Sequence, residues 1–195
     1  MADEQSPEKN KQSAEALSNF LLYGFIPMWT AAGVFDWYCH KKTDIEHTSG
    51  IKEALLHILM NAEAGAPLML ALLFEINTGV FSAMLAGLLL HEATVWWDIS
   101  YAERHRETPP FEQHVHSFLE VLPFMGLAMA ACLNPEKIAK RDFSLRLKSR
   151  FEPAPYWAAI AAMVVGGVVL PYGNEVWRCF RARKEPKRNT GFYEE

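Results

Sequence analysis

The stretch PAPYWAAIAAMVVGGVVLPYG, residues 153–173, holds twenty-one residues without a formal charge. A helix rising about 1.5 Å per residue crosses a hydrocarbon core about 30 Å thick in roughly twenty residues. The stretch therefore predicts a membrane-spanning helix. Residues 17–35 repeat the signal with nineteen uncharged positions. Between these two runs lie three more apolar stretches, roughly 51–74, 79–101 and 112–133, each interrupted by a few ionisable residues. The resulting expectation is an all-α, integral-membrane bundle of about five transmembrane helices. A soluble helical bundle with a very apolar core is the weaker alternative, because the outer runs are unbroken.

Bulk composition alone would mislead. The 195-residue chain is 50% hydrophobic and 22% charged, averages that suit a soluble domain. Its charges are segregated between the apolar runs, and segregation decides the class. The net charge of −4 makes no case for nucleic acid. Cys39, Cys132 and Cys179 are scattered without a CxxC pair, so neither a disulfide framework nor a zinc knuckle is implied.

Residues 1–16, MADEQSPEKNKQSAEA, are polar and mixed in charge. They read as a disordered lead, since they lack a basic n-region and no small-residue cleavage site follows. Residues 17–177 form one expected transmembrane domain, with a basic surface segment at 134–152 and a basic tail at 178–195. In the surface segment Phe143, Leu145 and Leu147 alternate with polar residues, as they would in a segment lying on a membrane. Pro27 predicts a kink in the first span, Gly65-Ala66-Pro67 a break in the second, and Gly166-Gly167 a close helix contact in the fifth. One side of such a bundle carries eleven Lys and Arg, the other eight. The positive-inside rule leans toward the first side as cytoplasmic.

The stretch FEQHVHSFLEVLPF, residues 111–124, places Glu112, His114, His116 and Glu120 in an apolar setting. On a helix, positions four apart differ by about 40° and seven apart by about 20°, so both share a face. Glu112, His116 and Glu120 recur at fours; His114 points away and is excluded. The same pairing appears as Asp36 with His40, Glu53 with His57, and His91 with Asp98. In an up-and-down bundle these residues gather near one membrane interface. Unpaired ionisable groups there cost several kcal/mol, on the order expected for buried charge. They must pair with one another or hold a cation.

The second option predicts a four-helix metal-binding core. Its expected ligands are Asp36, His40, Glu53, His57, His91, Asp98, His116 and Glu120, with Glu112 as a bridging or catalytic base candidate. Hard oxygen plus imidazole suits iron, with manganese or zinc as alternatives. Glu63 is read as a polar pairing between helices, Glu92 as a partner orienting an imidazole, and Glu46-His47 as a polar turn. Trp96 and Trp97 read as part of an interfacial aromatic belt.

This layout of Asp/Glu and His on four facing helices resembles carboxylate-bridged di-iron bundles. Its membrane setting is similar to that of integral-membrane hydroxylases and desaturases. The resemblance covers residues 36–120 and is one of chemistry and layout: Glu-x-x-x-His stands here where the membrane enzymes carry clustered histidine boxes. It implies a dinuclear iron centre that activates dioxygen on a lipid-like or apolar substrate. Electrons would come from a partner protein or a reduced quinone, because the chain has no nicotinamide or flavin fingerprint. A zinc-dependent membrane hydrolase and an ion- or proton-coupled transporter are the competing functions. A haem protein with paired histidines would leave the matching carboxylates unexplained; a buried ion-pair and hydrogen-bond network that fixes helix packing is the structural alternative to metal.

Overall fold

The computed structural model describes residues 7–183. It is all-helical, 82% of it helix, with no strand among the described residues. Five helices are long and apolar enough to cross a membrane: α1 (Glu8–Lys42), α2 (Ile51–Leu73), α3 (Thr78–Ala102), α4 (Pro110–Leu133) and α6 (Ala154–Ala182). The short α5 (Pro135–Ala139) follows α4. This architecture is consistent with a multi-pass membrane protein, as the uncharged runs predicted.

Helix α1 begins well before the apolar run, so residues 7–16 of the polar lead are helical; residues 1–6 and the tail from 184 onward lie outside the described residues. Pro27 does not break α1. A π turn at Leu21–Phe25 precedes it, with the Ile26 N–H bonded back to the Leu21 carbonyl. A second π turn, Val165–Val169, precedes Pro171 in α6 in the same way. A proline ring clashes with the carbonyl four residues earlier. One widened turn relieves that clash without ending the helix.

Two glycines set helix spacing. A Cβ on Gly167 would lie 2.3 Å from Thr30 Cγ2, so only glycine lets α6 approach α1 this closely. Gly166 has nothing within 4 Å of such a Cβ, which places the expected close contact on Gly167 alone. A Cβ on Gly87 would lie 2.7 Å from Pro67 Cγ. That notch in α3 receives Pro67, and α2 runs unbroken through the expected break.

The α2–α3 turn is clamped from outside. Glu75 N–H donates to the Arg146 carbonyl (2.9 Å), Lys148 N–H to the Leu73 carbonyl (2.9 Å) and Gly79 N–H to the Asp142 carbonyl (2.9 Å). The clamping segment leaves Phe143, Leu145, Leu147 and Phe151 exposed. At the opposite end, the C-termini of α1, α3 and α6 meet the N-termini of α2 and α4. Trp96 and Trp97 project outward near that end, 69% and 53% exposed, with Lys52 over the Trp97 and Tyr101 rings. Their outward direction suits a belt and removes them from any substrate wall.

Candidate metal centre

Helical periodicity places three i,i+4 pairs on inward faces: Asp36/His40 on α1, Glu53/His57 on α2 and Glu112/His116 on α4. Asp98 joins them from α3. All but His116 are essentially buried, and the His116 side chain is 24% exposed. The fifth long helix contributes as well. Glu175 of α6, fully buried, sits behind two of the imidazoles.

The His40 and His57 rings stack with centroids 4.2 Å apart and planes 10° from parallel. Their Nδ1 atoms lie 2.9 and 2.6 Å from Glu175 Oε2 and Oε1. An ionised carboxylate can only accept, so each Nδ1 donates, and in the neutral imidazole each Nε2 then carries a lone pair. Both lone pairs face away from Glu175, toward the remaining carboxylates. His40 Nε2 is 3.5 Å from Asp36 Oδ1 and 3.7 Å from Glu112 Oε1. His57 Nε2 is 3.5 Å from Asp98 Oδ2 and 3.8 Å from Glu53 Oε1. His116 Nε2 closes the first group, 2.8 Å from Asp36 Oδ1 and 3.9 Å from Glu112 Oε1.

Most of these separations are too long for hydrogen bonds. They lie at or a few tenths of an ångström beyond the roughly 3–3.5 Å that separates two ligands sharing a cation at bond lengths of about 2.1 Å. His40 Nε2, Asp98 Oδ1 and Glu112 Oε2 are buried without a hydrogen bond. Orphaned buried atoms are costly unless something outside the chain satisfies them. Asp36, His40 and His116 form one group able to hold a metal ion, and Glu53, His57 and Asp98 another. Glu112 adjoins the first.

Arg106, from the turn after α3, is the one strong cation in the cluster among the described residues. Its guanidinium donates to Glu53 Oε1 (Nη2, 2.6 Å; Nε, 3.0 Å) and to Thr43 Oγ1, and Nη2 lies 2.6 Å from Glu112 Oε1. Burial opposes its charge, but the Glu53 and Glu112 carboxylates more than offset this and hold Arg106 firmly protonated. Five carboxylates (Asp36, Glu53, Asp98, Glu112, Glu175) against one guanidinium leave four negative charges if the imidazoles are neutral. Two divalent cations would neutralise them. Protonating the histidines instead would set two imidazolium rings face to face at 4.2 Å, a repulsion that low dielectric strengthens. The buried groups could therefore hold metal ions, and Glu175 stands where carboxylates orient metal-bound histidines.

Two expected ligands stand apart. His91 and Glu120 belong to neither group; they line a cavity of about 440 Å³ beside the cluster, with Asp36, His57, Asp98 and His116 at its polar end. His91 Nδ1 has no hydrogen bond. Glu92 neighbours Glu120 instead of orienting His91. Glu63 accepts from Thr94 Oγ1 of α3 at 3.0 Å, the interhelical pairing expected. Glu46 accepts from Arg178 at 2.9 Å and ties the α1–α2 turn to α6. His105 and His114 are exposed. Tyr172 caps the cluster from α6, donating to the Gly33 carbonyl at 2.9 Å, with its hydroxyl 3.2 Å from Asp36 Oδ2.

No protein-family model, curated protein or solved structure matches this chain. The class is defined by fold and site alone: an all-helical chain with five candidate membrane spans and buried His/Asp/Glu groups that could hold metal ions.

Proposed function

We propose that the protein is a membrane-embedded, metal-dependent oxidoreductase with a dinuclear centre, iron first among the candidates. The observation that carries this reading is the double anchor of His40 and His57 on Glu175, which turns the two Nε2 atoms toward Asp36 and Glu112 and toward Glu53 and Asp98. Asp36, His40, Glu112 and His116 would hold one ion, and Glu53, His57 and Asp98 the other. A di-iron pair so held supplies dioxygen activation, with two electrons drawn from a donor protein or a reduced quinone.

The chain's own part is to position and to exclude water. Beyond the cluster the adjoining cavity carries His91, Glu120, Asn61 and Thr30, and the rest of its wall is apolar, with Trp29, Leu68, Val95, Leu119 and Met163. Such a pocket suits an apolar or lipid-like substrate arriving from the bilayer. Arg106 fixes Glu53 and Glu112 in place before any ion binds. The excess of Lys and Arg on the site's side favours the cytoplasmic face for the centre.

A zinc-dependent hydrolase is the second reading, favoured by Glu120. This carboxylate stands in the cavity wall outside both groups, where it could serve as a general base. A transporter fits less well, because the ionisable residues collect at one end of the bundle.

The test is a lipid-extract comparison of membranes from cells expressing the wild type or His57→Ala, grown with and without oxygen. Oxidised lipid products that need oxygen and His57 support the oxidoreductase. Oxygen-independent hydrolysis products with bound zinc support the second reading.

A further inference from the structure

A second cavity, of about 480 Å³, enters the bundle from the end opposite the cluster. It shares Ile26, Trp29, Leu68, Leu72 and His91 with the first, so the two adjoin at mid-bundle. Its inner walls are apolar apart from Glu63 and His91. Its outer mouth is not: Lys137, Lys148 and Arg150 line it, with Glu75 and Glu152. Glu152 is engaged by the Tyr23 hydroxyl at 2.9 Å. Three cations against two carboxylates leave one positive charge at the mouth of an apolar tunnel.

We propose that this cavity binds a long-chain carboxylate, its head at Lys148 and Lys137 and its hydrocarbon chain directed through mid-bundle toward the metal-binding cluster. One surplus positive charge matches one carboxylate better than the nearly two charges of a phosphate monoester. Lys148 is held at the mouth by its own backbone, whose N–H bonds the Leu73 carbonyl, and its side chain is half-buried. Burial holds its ammonium below the ordinary lysine value, with Glu152 opposing and Lys137 adding to the shift. An anion arriving there relieves that penalty. The exposed Phe143, Leu145, Leu147 and Phe151 beside the mouth place it where amphiphile heads lie in a bilayer.

The reach can be read from α2. Leu73, at the level of Lys148, and His57 are sixteen residues apart (73 minus 57), about 24 Å at the helical rise. With C–C bonds of about 1.5 Å and near-tetrahedral angles, an extended chain advances roughly 1.25 Å per carbon. A chain of about nineteen or twenty carbons spans the whole distance, and one of sixteen covers about 20 Å of it. The oxidised carbon would then lie near the end far from the head. That last step rests on the proposed function; the binding itself does not.

The test uses the full chain in phosphatidylcholine nanodiscs, with displacement of a fluorescent fatty acid as readout. Hexadecanoate should bind at least tenfold more tightly than its methyl ester or than octanoate. The double variant Lys137→Met, Lys148→Met should weaken hexadecanoate at least tenfold and leave the ester unchanged. Ala71→Phe, which fills the tunnel below the mouth, should abolish binding of acid and ester while thermal unfolding stays within a few degrees. Chelator-treated protein should bind as untreated protein does; a chain that carries no metal as purified and still binds the acid sinks the metal centre and spares this site. An ester that binds as tightly as the acid, or a double variant that binds normally, overturns the proposal.

Discussion

One carboxylate, Glu175, accepts from His40 Nδ1 at 2.9 Å and from His57 Nδ1 at 2.6 Å, and so fixes the tautomer and direction of two stacked imidazoles at once. The two rings come from different helices, and Glu175 from a third. The site is therefore assembled only when α1, α2 and α6 are all in register.

Glu175→Gln keeps the volume but offers one accepting oxygen in place of two. One imidazole must then lose its donor or change tautomer. Metal affinity should fall about 10–100-fold, the usual cost of losing such an orienting group, with helicity unchanged. Competition against a metal-sensitive dye checks this; unchanged affinity would remove Glu175 from the centre.

Arg106→Met leaves Glu53 and Glu112 without their permanent counter-charge. Removing one member of a buried ion pair costs about 3–5 kcal/mol, so the metal-free protein should melt at a clearly lower temperature. Divalent cations should restore part of the loss, because they supply the missing positive charge. Thermal unfolding in detergent, with and without added metal, reads both effects. A variant as stable as wild type without metal would show that Arg106 is not the cluster's counter-charge.

The Gly167 contact gives a packing prediction independent of chemistry. Gly167→Ala drives a methyl into Thr30, an overpacking that costs about 1–3 kcal/mol, and tilts the helix that carries Glu175 two turns on. Both melting temperature and metal affinity should drop. Gly166→Ala, facing open space, should change neither.

His91→Ala and Glu120→Ala should retain full metal content, whereas His57→Ala should not. Elemental analysis of the three purified variants decides it. Loss of metal from His91→Ala would restore the sequence-based ligand set.

That contrast also marks how far the sequence could be read. The pairs Asp36/His40, Glu53/His57 and Glu112/His116 were legible because 3.6-residue periodicity alone puts i and i+4 on one face. The same rule put His91 and Glu120 on the correct faces, yet they belong to neither group. His91 lies about 10 Å along α3 from Asp98, and Glu120 about 6 Å along α4 from His116. Spacing gives both the face and this depth along a helix; it does not say how far down the bundle the cluster reaches. Glu175 gave no signal: its neighbours at four residues are Pro171 and Cys179, so it has no paired ligand on its own helix. Arg106 lies beyond the end of α3, where helical periodicity no longer says which way a side chain points. The two outer spans were legible from uncharged length and the middle three from apolar runs interrupted by a few ionisable residues, while the continuity of α1 and α6 through Pro27 and Pro171 depends on π turns that no residue spacing announces.

The most direct measurement is the number of metal ions bound per chain, by elemental analysis of protein purified in detergent from iron-supplemented cells, beside a His40→Ala, His57→Ala variant. The account predicts two transition-metal ions per wild-type chain and fewer than half an ion in the variant. A folded wild-type chain carrying no metal above background would contradict it, and the cluster would then be an ion-pair network that Arg106 and the histidines hold together by themselves.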